Sequence, residues 1–121
     1  MNPCRAIRCT ACCQYTNMLL TKEDIARIEA LGHPAASFQQ QGTLGIQLKN
    51  VNGHCVFLSA GQCTIYNCRP QGCTLYPIVL DRTTGEAIRD DTCPRYQEFP
   101  LTKETRRRLR RLIQTLFPNG L

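Results

Sequence analysis

The sequence predicts an α+β fold of short hairpins and two main helices, on three observations. Helix-type apolar periodicity appears near both ends of the chain, around a middle where Gly and Asn turns separate short alternating segments. The 121 residues suit a single domain spanning residues 1–121, since domains commonly run to about 100–150 residues. Nine cysteines accompany no tryptophan, four Phe and four Tyr, so the apolar core is thin and calls for covalent or metal staples.

Residues 4–13 form a cysteine-dense loop without periodicity. Thr21 is a good N-cap for the first helix; Glu23 and Asp24 fall in its electropositive first turn, and Ile25, Ile28 and Leu31 recur on one face. Gly32 followed by His33-Pro34 stops it, and a shorter helical turn covers Ala35 to Gln40. Leu44, Ile46 and Leu48 alternate as a strand, Asn52-Gly53 is a turn signal, and Cys55-Val56-Phe57-Leu58 returns as a second strand. Ser59 to Gln62 turn the chain into Cys63-Thr64-Ile65-Tyr66. A last hairpin spans Leu75 to Asp90, with Arg82-Thr83-Thr84-Gly85 at its tip. The final helix covers about Thr102 to Phe117: Thr102 caps it, Leu101 acts as a staple, and Leu109, Leu112, Ile113 and Leu116 form one stripe. No internal repeat is visible.

Metal, not disulfide, is the expected staple. Met1-Asn2-Pro3-Cys4-Arg5 opens no apolar stretch of signal-peptide length, and no stretch is long enough to span a membrane. The expected compartment is therefore the cytoplasm, where thiols stay reduced. The cysteine count is odd, and a bridge between the neighbours Cys12 and Cys13 would be strained.

The formal charge is +6, and residues 101–121 carry most of it, with one lysine and five arginines against one glutamate. Thiolate-ligated metal would offset much of this, because two four-cysteine sites each carry about −2. The run Arg106-Arg107-Arg108-Leu109-Arg110-Arg111 suits an acidic protein partner better than nucleic acid, since no aromatic side chains are interleaved for base stacking.

The N-terminal cysteines read Cys4-x4-Cys9-x2-Cys12-Cys13. A two-residue gap lets one tight turn present both sulfurs to one ion, as in zinc knuckles and iron–sulfur loops. Successive side chains of an extended segment point opposite ways, so Cys12 and Cys13 suit two neighbouring sites, or one site and one packed thiol. Cys55, Cys63, Cys73 and Cys93 supply four more candidates, and no second CxxC pair exists.

The chain resembles the YkgJ-type cysteine-cluster family, zinc- or iron-chelating domains related to the flagellin lysine methylase FliB. The resemblance rests on the CxxCC group at Cys9 to Cys13, Thr21-Lys22-Glu23-Asp24-Ile25 and Cys55-Val56-Phe57-Leu58. It continues through Cys63-Thr64-Ile65-Tyr66 and Arg69-Pro70-x-x-Cys73-x-x-Tyr76-Pro77 to Cys93-Pro94, covering a cysteine module of about residues 4–96. It implies Cys4, Cys9, Cys12, Cys13, Cys55, Cys63, Cys73 and Cys93 as ligands. The Cys4–Cys9 gap is longer than the family often shows, and Cys68 stands where the family does not require cysteine; Cys68 reads as a packed thiol.

His54 reads as a polar turn residue and His33 as a helix-end residue favoured by the dipole. Arg69 reads equally as a donor to an anionic thiolate site or as a turn arginine, and Tyr66 and Tyr76 read as core tyrosines. No motif names an enzyme. The leading expectation is an iron–sulfur protein, most readily a [4Fe-4S] cluster, serving redox or maturation work on a partner reached through the basic helix. A structural zinc module for partner recognition is the alternative, and a methyltransferase-like fragment the third reading.

Overall fold

The computed structural model describes Cys13, residues 16–91 and residues 93–120. Helix α1 (Lys22–Glu29) starts where a hydroxyl and a carboxylate exchange backbone hydrogen bonds. Thr21 Oγ1 accepts from the Asp24 N–H at 2.9 Å, and Asp24 Oδ2 accepts from the Thr21 N–H at 3.0 Å. Ile28 is fully buried and Ile25 half-buried, but Leu31 is 50% exposed. The apolar face therefore ends a turn earlier than its periodicity predicts, where Gly32 at φ 102° turns the chain away.

Helix α2 (Ala35–Phe38) runs directly into β1 (Gln39–Gln41), which pairs antiparallel with β2 (Ile46–Leu48). Nothing apolar marks three glutamines as a strand. Buried Phe38 anchors the corner, where its carbonyl accepts from the Lys49 N–H at 2.8 Å. The expected strand from Leu44 begins instead at Ile46, and Leu44 lies 41% exposed in the connection. The far edge of β2 is taken by residues 18–20, through Leu20 N–H to the Ile46 carbonyl and Leu48 N–H to the Met18 carbonyl.

Two short hairpins follow: β3 (Asn50–Val51) with β4 (His54–Cys55), then β5 (Leu58–Ser59) with β6 (Gln62–Cys63). Both turns hold their two central residues at positive φ, Asn52-Gly53 at 53° and 84°, Ala60-Gly61 at 52° and 74°. Such loops match the right-handed twist of the flanking strands. This corrects two expectations. Cys55 to Leu58 is not one strand, because Cys55 closes the first hairpin and Leu58 opens the second. One hairpin geometry is also repeated over Gly53-His54-Cys55 and Gly61-Gln62-Cys63, where no repeat was expected.

Helix α3 (Gln71–Leu75) was not expected; buried Pro70 at its N-cap presets the backbone for entry. The next hairpin, β7 (Ile78–Asp81) with β8 (Glu86–Arg89), has its tip at residues 82–85 as anticipated, but starts after α3 rather than at Leu75. Helix α4 (Lys103–Leu116) is capped by Thr102 and Thr105.

Among the described residues, apolar side chains gather in two clusters. The first holds Leu20, Ile28, Phe38, Leu48, Cys55, Phe57 and Ile65; the second holds Leu75, Ile78, Leu109 and Leu112. Ile113 and Leu116 of the expected stripe, and Leu101 ahead of the helix, pack on the second cluster. Helix α3 belongs to both clusters. Residues two apart on a helix face nearly opposite ways, so Cys73 packs on the first cluster and Leu75 lies in the second.

Candidate metal centre

Of the eight expected ligands, Cys4, Cys9 and Cys12 lie outside the described residues. Four of the other five share one environment: Cys55 is in the first core cluster, and Cys13, Cys63 and Cys73 pack against it. Cys93 is also buried but belongs to neither cluster. Among the described residues, no three Cys, His, Asp or Glu side chains come close enough to share an ion.

Equivalent hairpins deliver Cys55 and Cys63. Each cysteine is the last residue of its hairpin, paired with Asn50 and Leu58 respectively. The following residue closes each hairpin from outside, Val56 N–H to the Lys49 carbonyl and Thr64 N–H to the Phe57 carbonyl. The Asn50 side chain also fixes the chain emerging from Cys13. Its Oδ1 accepts from the Thr16 N–H at 2.9 Å, and its Nδ2 donates to the Thr16 carbonyl at 2.7 Å. Such a bidentate amide pairing sets register as well as adding binding energy. Nothing in the sequence singles out Asn50.

Cys73 is positioned from helix α1. Asp24 is fully buried, and its Oδ1 accepts from the Gln71 N–H, the first of α3, at 3.1 Å and from Arg27 Nη2 at 2.7 Å. Arg27 Nη2 donates in turn to the Arg69 carbonyl at 3.1 Å. One carboxylate thus caps two helices, where its charge favours both N-termini. Gly72 closes the other side: a Cβ there would stand 2.2 Å from Met18 Sδ.

Cys93 is tied to the end of α3. Tyr76 Oη donates to Asp90 Oδ2 at 2.8 Å, the Asp90 N–H donates to the Pro77 carbonyl, and the Cys93 N–H donates to the Asp90 carbonyl. Tyr76 and Tyr66 are half-buried. Neither is a core tyrosine: Tyr76 is a tether, and Tyr66 lies under the Arg69 guanidinium, 4.0 Å from ring centre to Cζ. Cys68 ends a 3₁₀ turn as a half-buried free thiol. His54 Nδ1 lies 3.1 Å from the Cys55 carbonyl oxygen, and His33 meets Phe57 edge-on at 5.2 Å.

The donors suit a soft-metal group. Thiolates prefer zinc, copper(I) and iron–sulfur centres over magnesium or calcium. Arg69 Nε is buried with no hydrogen-bond partner among the described residues, a cationic donor beside Cys68 and close in sequence to Cys73. An unpaired buried donor is costly, and an anionic thiolate site would relieve it.

Fold and site together define a small cysteine-cluster protein. The chain belongs to the CxxCxxCC family, described as "Putative zinc- or iron-chelating domain", whose model matches residues 3–107. Its chemistry at that level is zinc or iron chelation. Position 6, where the family's CxxCxxCC spacing would put a cysteine ahead of Cys9, is Ala6, and Cys4 lies just upstream. No curated protein and no solved structure gave a significant match. Among the described residues, no helix is long and apolar enough to cross a membrane.

Proposed function

We propose that the protein holds an iron–sulfur cluster, most simply [4Fe-4S], and carries out redox or maturation work on a partner protein. The thiolates would come from Cys4, Cys9, Cys12, Cys13, Cys55, Cys63, Cys73 and Cys93. The carrying observation is the convergence of Cys13, Cys55, Cys63 and Cys73 on one core cluster, with Cys12 next to Cys13 in the chain. Eight thiolates exceed what one four-coordinate zinc ion or one four-cysteine cluster needs, so they would supply two neighbouring centres, which adjacent Cys12 and Cys13 suit. Because no three described side chains share an ion, the N-terminal cysteines would complete the shell. A cluster would supply one-electron transfer at a potential set by its hydrogen bonds and exposure. The protein's own part is to hold the sulfurs, exclude water with Leu48, Phe57 and Ile65, and offer Arg69 Nε as a donor. The partner would be acidic and engage the basic α4, and the cytoplasm fits the reduced thiols.

The test is anaerobic purification from iron-replete cells. Brown protein with near-stoichiometric iron and acid-labile sulfide supports the reading. Colourless protein containing only zinc overturns it in favour of a structural zinc module, which the paired Gly-x-Cys hairpins at Gly53 and Gly61 would also suit.

A further inference from the structure

Between α4 and the β7–β8 hairpin lies a groove of about 370 Å³. Its floor is Leu80, Ala87, Leu109 and Ile113, and Arg106 and Arg110 rise along one wall. Residues four apart on a helix are neighbours on one face, so the two guanidinium groups stand one turn apart above an apolar floor. Both are exposed, and neither forms an ion pair among the described residues; Arg107, by contrast, reaches Glu104 at 3.3 Å. Glu86 is the one acidic side chain lining the groove.

We infer that this groove binds an acidic amphipathic peptide segment of a partner protein. An aliphatic side chain would enter over Leu109 and Ile113, and carboxylates would pair with Arg106 and Arg110. Charge complementarity selects this occupant. Guanidinium forks match carboxylates in bidentate geometry, and the apolar floor rewards a neighbouring aliphatic group. Nucleic acid would use the arginines but not the floor, which offers no aromatic platform for bases. The inference rests on the partner half of the proposed function. It does not depend on the metal, since every groove wall belongs to or flanks the second cluster.

The experiment is fluorescence anisotropy on the full-length, metal-loaded chain, with a labelled glutamate-rich peptide carrying leucines at helical spacing. Replacing those leucines by serine should weaken binding about tenfold or more. The double variant Arg106→Gln/Arg110→Gln should weaken it about tenfold or more, while Arg107→Gln/Arg108→Gln, an equal charge loss outside the groove, should cost under about threefold. Glu86→Gln should strengthen it about two- to threefold. Equal losses from both arginine pairs overturn the groove but leave an acidic partner on α4 standing. No binding of the peptide, or of polyglutamate, overturns both. Tighter binding of a single-stranded oligonucleotide, or concentration-dependent self-association that the peptide does not compete, also overturns the inference. Metal content, measured for each variant, reports separately on the cluster.

Discussion

Replacing Asp24 by alanine measures how strongly residues other than cysteine hold the sulfur-bearing elements. The side chain is fully buried and its carboxylate accepts from Thr21 N, Gln71 N and Arg27 Nη2. Hydrogen bonds to a charged group contribute about 1.5–3 kcal/mol each, and losing an N-cap partner costs about 1 kcal/mol. One carboxylate serves all three donors, so these values do not sum. Removing one member of a buried pair costs about 3–5 kcal/mol. The Arg27 side chain is 38% exposed, so water takes up the freed guanidinium and the loss falls to about 3 kcal/mol. That is a large fraction of the roughly 5–15 kcal/mol that holds a domain folded. Asp24→Asn keeps the volume and one acceptor but turns an amide N–H towards a donor, for about 1–2 kcal/mol. Urea unfolding of the metal-loaded protein under argon reads this as a lower midpoint with an unchanged slope. Chelator competition should show weaker metal retention in step, because α3 carries Cys73 away from the first core. A midpoint for Asp24→Ala within about 0.5 kcal/mol of wild type would refute the two-helix clamp. Metal loss without a midpoint shift would make Asp24 part of the metal shell instead.

Cys73→Ser should lose metal and much of the folded population, since metal binding and folding are coupled in small stapled domains. Cys68→Ser should keep both, and equal metal loss in the two variants, measured by elemental analysis, would put Cys68 among the ligands. Ala60→Asn should stabilise the second hairpin by about 0.5–1 kcal/mol in thermal unfolding, because Ala60 holds φ 52°, a conformation that Asn adopts at lower cost than Ala. Destabilisation would show that the Ala60 methyl is needed where it lies.

Sequence periodicity located α1, α4 and the tip of the β7–β8 hairpin, because long amphipathic elements and glycine turns leave local signals. The strand Gln39–Gln41 and the helix Gln71–Leu75 left none. One is fixed by the burial of Phe38 at its start, the other by Pro70 and the remote carboxylate of Asp24. The cysteines were legible as ligand candidates from their type and spacing, but which of them share an environment, as Cys13, Cys55, Cys63 and Cys73 do at the first core cluster, was not. The supporting residues were only half legible. Asp24 stood out as a first-turn charge, not as the cap of a second helix, and the grip of Asn50 on Thr16 joins segments with nothing in common locally. Tyr76 had the right position in its motif and the wrong role, since a hydroxyl reaching Asp90 cannot be told from a packed ring without the fold.

The paired hairpins at Asn50–Cys55 and Leu58–Cys63 act as a ruler. Side chains alternate along a strand, so a one-residue slip of either pairing, as from an insertion at Asn52-Gly53 or Ala60-Gly61 that the turn does not absorb, would swing the following cysteine to the opposite face. Such a slip would displace a sulfur without removing any cysteine from the chain. Insertions at the 82–85 tip, by contrast, only lengthen an exposed turn. Relatives that build their centre in the same way are expected to hold the interval from Cys55 to Cys63 constant and to vary in length at that distant tip.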